Sequence, residues 1–187
     1  YRDVQILNGV SKVHPADLWA VERRFREPEL EGHVPAQAYG PAARARLDQA
    51  VLKIVQSADT GAARELGNAS LGFAAAQNDP RVRAFWKISA GFFEAFSLGL
   101  FQPDVYVKRA ASRILMQYAT LSKGDVTITD RLVQDLLFFC AQARECAPDK
   151  APALDAVRKV FELERFPAVN YEVRRFGRFD PAVLVQA

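Results

Sequence analysis

The chain has 187 residues, half of them hydrophobic and a quarter charged, which suits one substantial core and is too apolar for a disordered chain. The net charge of +3 comes from cations scattered singly or in pairs. The isoelectric point near 9 is therefore weak evidence for nucleic acid, and no RRM, KH, helix-turn-helix or zinc-finger signature supports it.

Residues 1–40 are the least periodic part. A short apolar patch (Val4, Ile6, Leu7) closes at Asn8-Gly9, a turn signal. His14-Pro15 opens a short helix with Pro15 at its first position and Leu18, Trp19 and Phe25 inward, ending before Pro28. Gly32 to Gly40, interrupted by Pro35, reads as a connecting loop. The chain begins at Tyr1 without an initiator Met and reads as a fragment of something larger. No stretch reads as a signal peptide, a lipidation motif or a membrane span.

From Pro41 the pattern is helix after helix. Pro41–Ala58 places Leu47, Val51, Ile54 and Val55 on one side, away from Arg44, Arg46, Asp48 and Lys53. After a break at Asp59–Gly61, Thr60–Gln77 offers Ala63, Leu66, Ser70, Phe73 and Ala74 as a smooth face for close packing. The stretch Asp79–Phe101 organises the rest. Asp79 is a good N-cap and Pro80 suits the first turn. Val82, Phe85, Trp86, Ser89, Phe93, Phe96 and Leu100 recur at three- and four-residue steps, and Phe92 widens the stripe. A helix apolar over most of its girth belongs inside a bundle, and Lys87 and Glu94 interrupt it too early for a membrane span.

Val105–Ser122 carries Val107, Ala111, Ile114, Tyr118 and Leu121, with Lys123-Gly124 as its stop. Thr127 or Thr129 caps the next helix, whose inward set is Leu132, Val133, Leu136, Leu137, Phe139 and Cys140, and which Ala147-Pro148-Asp149 ends. Cys140 and Cys146, the only cysteines, both fall in it; a helical rise then holds their Cα atoms roughly 9 Å apart, too far for a disulfide. Two free thiols in a reducing compartment follow. A last amphipathic helix, Lys150–Phe166, presents Leu154, Val157, Phe161 and Leu163. The tail from Pro167 has no sustained period.

Catalysis leaves spacing behind, and none is visible: there is no P-loop, dinucleotide fingerprint, H-E-x-x-H or G-x-S-x-G. His14 and His33 lie in the irregular segment with no Cys or carboxylate cluster to make either a ligand or catalytic group. Histidine phosphotransfer needs a mid-helix imidazole, and every helix from Pro41 onward lacks histidine. The tail sequence Arg174-Arg175-Phe176-Gly177-Arg178-Phe179 reads three ways. It is a strip pinned to the bundle by its Phe residues, a partner-docking surface, or a single-strand binding surface. The aromatic density of the central helix serves core packing or, alternatively, lines a ligand cavity beside Trp86 and Phe93.

The opening string YRDVQILNGVSKVHPADLW resembles the segment Y-R-D-V-Q-x-L-x-G-x-x-x-V-H-P-A-D-L-W of the N-terminal region of CheA-like hybrid histidine kinases of type IV pilus chemosensory systems, the PilL/ChpA type. DPRVRAFWKISAGFFEAF, QPDVYVKRAASRILMQY, DRLVQDLLFFCAQA and YEVRRFGRFDPAVL are similar to the same region, in order, so the resemblance spans the chain. That region in turn looks like FimL, which lacks phosphotransfer histidines and organises its pathway through protein contacts. The resemblance implies a chemotaxis-type two-component phosphorelay controlling pilus motors and twitching motility. It also implies a cytoplasmic location at a polar signalling complex. It carries over no catalytic residue.

These readings give an all-α fold: an antiparallel bundle of about six to seven helices. Residues 1–40 form an irregular segment with a short helix, 41–166 the bundle and 167–187 a surface tail, in one structural domain. The expected function is a non-catalytic interaction or scaffold domain, like a phosphotransfer bundle without its histidine. The alternative is a small-molecule or signal-sensing domain with an aromatic-lined pocket. Catalytic, cofactor and metal residues are not expected. The candidate partner-binding set is Arg174, Arg175, Phe176, Arg178 and Phe179. Expected partners are pathway proteins and a second copy of the chain, without nucleic acid or membrane insertion.

Overall fold

The computed structural model describes residues 27–30 and 34–161. Six helices run through them: α1 (Pro41–Ser57), α2 (Thr60–Ala75), α3 (Pro80–Ser97), α4 (Val105–Ser122), α5 (Asp130–Gln142) and α6 (Pro152–Val160). Among the described residues there is no strand. The short helix after Pro15, the end of the last helix with Leu163, both histidines and the tail lie outside them.

α3 sits at the centre. Its main neighbours are α2, α5 and α6; α1 packs on α2 and α4, and α4 on α5. The consecutive helices α3 and α4 are not main neighbours, because α5 stands next to both. Twelve of the eighteen α3 residues are buried, among them Phe85, Trp86, Phe92, Phe93 and Phe96. Each buried aromatic stabilises by about 1.5–3 kcal/mol relative to exposure, so no other helix contributes as much apolar burial. The inward sets expected for α2 and α4 are all buried.

Helix ends follow local chemistry where the signal is strong. Asp59, Asp79 and Asp104 cap α2, α3 and α4 by accepting first-turn N–H bonds. α4 stops at Lys123-Gly124 as expected, with Gly124 at φ +90°. Gly124 N–H donates to Leu121 O, and Asp125 N–H to Thr120 O. The same six-to-one closure ends α3 earlier than its periodicity suggests: Gly99 (φ +69°) donates to Phe96 O and Leu100 to Ala95 O. Leu100 stays buried as the hydrophobic plug of that motif, although it is no longer helical.

Four further expectations are corrected. Val55 is 41% exposed, because the inward side of α1 runs through Ala43, Leu47, Ala50, Val51 and Ile54. Thr129 occupies the N-cap position of α5 without a side-chain bond. Instead the buried Gln117 amide of α4 donates to Thr127 O (2.8 Å) and accepts from Thr129 N–H (3.0 Å). α5 ends at Gln142, so Cys146 lies beyond the helix that holds Cys140; both thiols are free. The helix stops there because Arg158 of α6 takes the carbonyls of Cys140 and Ala143, while Arg144 N–H donates to Leu100 O. The last helix begins at Pro152 rather than Lys150.

α6 lies close against α3 because Gly91 has no side chain. A Cβ there would meet Val157 Cγ2 at 3.0 Å and Ala153 O at 3.3 Å. At Gly67, where α2 crosses α3, the nearest atom would be Phe93 Cβ at 3.6 Å, an ordinary contact. Gly91→Ala is therefore expected to lose about 1–3 kcal/mol in urea denaturation through overpacking. Gly67→Ala should match or exceed the parent, since alanine favours helix by up to about 1 kcal/mol. A Gly91→Ala protein as stable as the parent contradicts this packing.

Candidate functional site

The geometry offers fastening points and surfaces. Chain segments outside the helices are tied to α3 and its neighbours by polar groups of long sequence separation. Glu27 sits between Arg83 and Lys87 of α3: the guanidinium donates to both carboxylate oxygens (3.0 Å each at best) and Lys87 Nζ to one at 2.6 Å. Lys87 also donates to Pro28 O, and Arg83 to Asn78 O in the α2–α3 turn. Burial works against the Glu27 charge, but the hydrogen bonds from Arg83 and Lys87 outweigh it and hold the carboxyl below its ordinary value.

Residues 34–40 form a strap. Gln37 N–H donates to Gly72 O (2.9 Å) in the last turn of α2. Tyr39 OH accepts from Trp86 Nε1–H (2.9 Å). Gly40 N–H donates to Tyr118 OH (3.0 Å). Tyr39, Phe73, Trp86 and Tyr118 pack ring against ring, with centroids 4.9 Å apart for Phe73 and Trp86 and 5.1 Å for Tyr39 and Tyr118. The enclosed space between Trp86 and Phe93 is about 10 Å³, at most the room of one water. A larger concavity lies elsewhere: about 480 Å³ between the strap, α1 and α2, floored by Leu47, Leu66 and Phe73.

Glu94 does the work of a missing cap. Ala151, at the start of α6, has no capping side chain, and Glu94 Oε1 accepts from Leu154 N–H at 2.8 Å. Burial raises the Glu94 carboxyl above its ordinary value, opposed by the backbone N–H bonds of Leu154 and Ala153. Cys140, fully buried nearby, is pushed up to about 12 by burial, with Arg158 pulling the other way; at neutral pH it is an unreactive thiol.

The candidate partner-binding residues Arg174, Arg175, Phe176, Arg178 and Phe179 lie outside the described residues, as do His14 and His33. Glu27, Glu94 and Gln117 carried no expectation, because their partners are remote in sequence. Among the described residues no three His, Cys, Asp or Glu side chains converge as a metal site, and no helix is long and apolar enough to cross a membrane. A family model described as the FimL scaffold protein second domain matches residues 33–174. No curated protein and no solved structure matches the chain.

The two glutamates predict opposite pH behaviour. Glu27 has a lowered folded value, so its stabilisation is present above its ordinary value of 4.5 and is lost as pH falls through the folded one. Glu27→Gln should thus be less stable than the parent at neutral pH and converge on it in acid. Glu94 has a raised folded value, so its contribution is fully present below 4.5 and is lost as pH rises through the folded value. Glu94→Gln, which keeps an oxygen acceptor, should hold or gain stability at neutral pH, whereas Glu94→Ala loses about 1 kcal/mol with the cap. Urea midpoints across pH check both; a Glu27→Gln gap unchanged between neutral and acid pH contradicts the first.

Proposed function

Because the chain belongs to the FimL scaffold family, in its second domain, we propose that it is a protein-interaction domain of a pilus chemosensory system that works by holding partners rather than by chemistry. The family match over residues 33–174 carries this reading. The polar groups with shifted protonation give it physical support. Glu27 ties residues 27–28 to α3, Glu94 caps α6, and Cys140 is sealed in apolar packing. Each is engaged in a contact that holds the fold together.

The proposal extends to the parent and its setting. The domain belongs to a CheA-like hybrid histidine kinase acting on twitching motility, in the cytoplasm at a polar signalling complex. It descends from a phosphotransfer bundle that has lost its phosphoacceptor. No histidine stands in α1–α6, so imidazole attack on an acyl phosphate is unavailable on any of them. The working unit is the 41–166 bundle with its flanking segments 1–40 and 167–187. The tail set Arg174, Arg175, Phe176, Arg178 and Phe179 is one contact surface for pathway proteins.

Two experiments test this. Incubated with a cognate kinase core and labelled ATP, the chain should retain no label; stable label on it contradicts the non-catalytic reading. In pulldowns from piliated cells, Arg174→Glu, Arg175→Glu and Arg178→Glu together should reduce partner recovery about tenfold, as loss of a charged contact surface would. Unchanged recovery removes the tail from the proposal.

A further inference from the structure

One wall of the bundle combines exposed apolar side chains with a concentration of positive charge. α6 lies on α3 and α5, and among the described residues no helix lies over the outer side of α1 and α4. Of the seven large hydrophobic side chains that face solvent among the described residues, five belong to these two helices: Leu52, Val55, Val105, Tyr106 and Met116, at 41 to 69% exposure. Single exposed apolar residues are ordinary. Five on two neighbouring helices, with two left for the rest of the described fold, make a patch.

The charge on the same helices is lopsided. Arg44, Arg46, Lys53, Lys108, Arg109 and Arg113 stand against Asp48 alone. That surplus of five exceeds the whole chain's +3, so the remainder of the molecule is net acidic. Arg44 is paired with Asp48 (3.1 Å) and Arg113 with Asp135 of α5 (2.7 Å). Arg46, Lys53 and Lys108 form no ion pair among the described residues, and Arg109 rests over the Tyr106 ring at 5.9 Å. Arg46 lines the concavity between α1 and α2, and Lys53, seven residues on, shares its side of α1, so the cations beside the exposed apolar residues are Lys108 and Arg109.

We propose that the α1/α4 wall docks an amphipathic helix of a protein partner whose polar side is acidic. α1 and α4 run antiparallel: Gly40 meets Tyr118, and Leu47 shares a void with Ile114. Two helices side by side leave a seam into which a third lays its apolar stripe. Leu52, Val55 and Met116 receive that stripe, and Lys108 and Arg109 of α4 face its carboxylates. A second copy of this chain packed wall to wall is a poor occupant, since it would set Lys108 and Arg109 against their own copies. A nucleic acid would use the cations and leave the apolar residues idle. That the occupant is a protein rests on the scaffold reading; the wall is independent of the tail.

The probe is a labelled synthetic helix with leucine at alternating three- and four-residue steps and glutamate elsewhere, titrated against the full chain by fluorescence anisotropy. Saturable, salt-sensitive binding is expected. It should weaken about tenfold or more in Lys108→Glu/Arg109→Glu and in Leu52→Ser/Met116→Ser, with circular dichroism confirming that each variant folds. A matching helix with lysine in place of glutamate should not bind. Absent binding, equal binding of the lysine helix, or unchanged affinity in both variants overturns the proposal. So does tighter binding to phosphatidylserine vesicles or to a single-stranded oligonucleotide, or dimerisation that the substitutions abolish. A failed pulldown with intact peptide binding would fault the scaffold reading alone, and a failed peptide titration would fault this wall alone.

Discussion

The fold depends on one constraint: α3 is apolar around most of its circumference and must be enclosed. Phe85, Trp86, Phe92 and Phe93 together point in too many directions for one or two neighbours to cover. α2, α5 and α6 therefore close around it, and α1 and α4 complete the outer side. Small residues set how tightly this closes. Gly91 admits α6, which at nine residues is too short to hold its shape alone.

The few polar groups on α3 serve the same enclosure. Arg83 and Lys87 gather in Glu27, Trp86 Nε1–H holds Tyr39, and Glu94 caps α6. Each connects α3 to a segment that would otherwise have little reason to stay. These polar groups hold the bundle and its flanking segments together, in a chain whose family is described as a scaffold.

Much of the architecture was legible in the sequence, because periodicity reports burial directly. The stripes of α2, α3 and α4 are buried as their spacing implies, and Asp79 caps α3 as the sequence indicates. What escaped was decided by distant residues. The stop of α5 depends on Arg158, the start of α5 on Gln117, and the cap of α6 on Glu94, none of which leaves a local pattern. Val55 misled for a different reason: apolar character alone does not distinguish an inward position from one on the exposed wall it shares with Leu52. The tail carrying Arg174 to Phe179 lies outside the described residues.

Amide hydrogen exchange resolved along the chain probes the central claim most directly. If α3 is the element about which the others assemble, the amides of Phe85 to Phe93 exchange last, at the rate of global unfolding, with α6 opening before them. Exchange of α3 at or ahead of the rate of α6, while α1 and α4 remain protected, would show that the bundle is held together somewhere else.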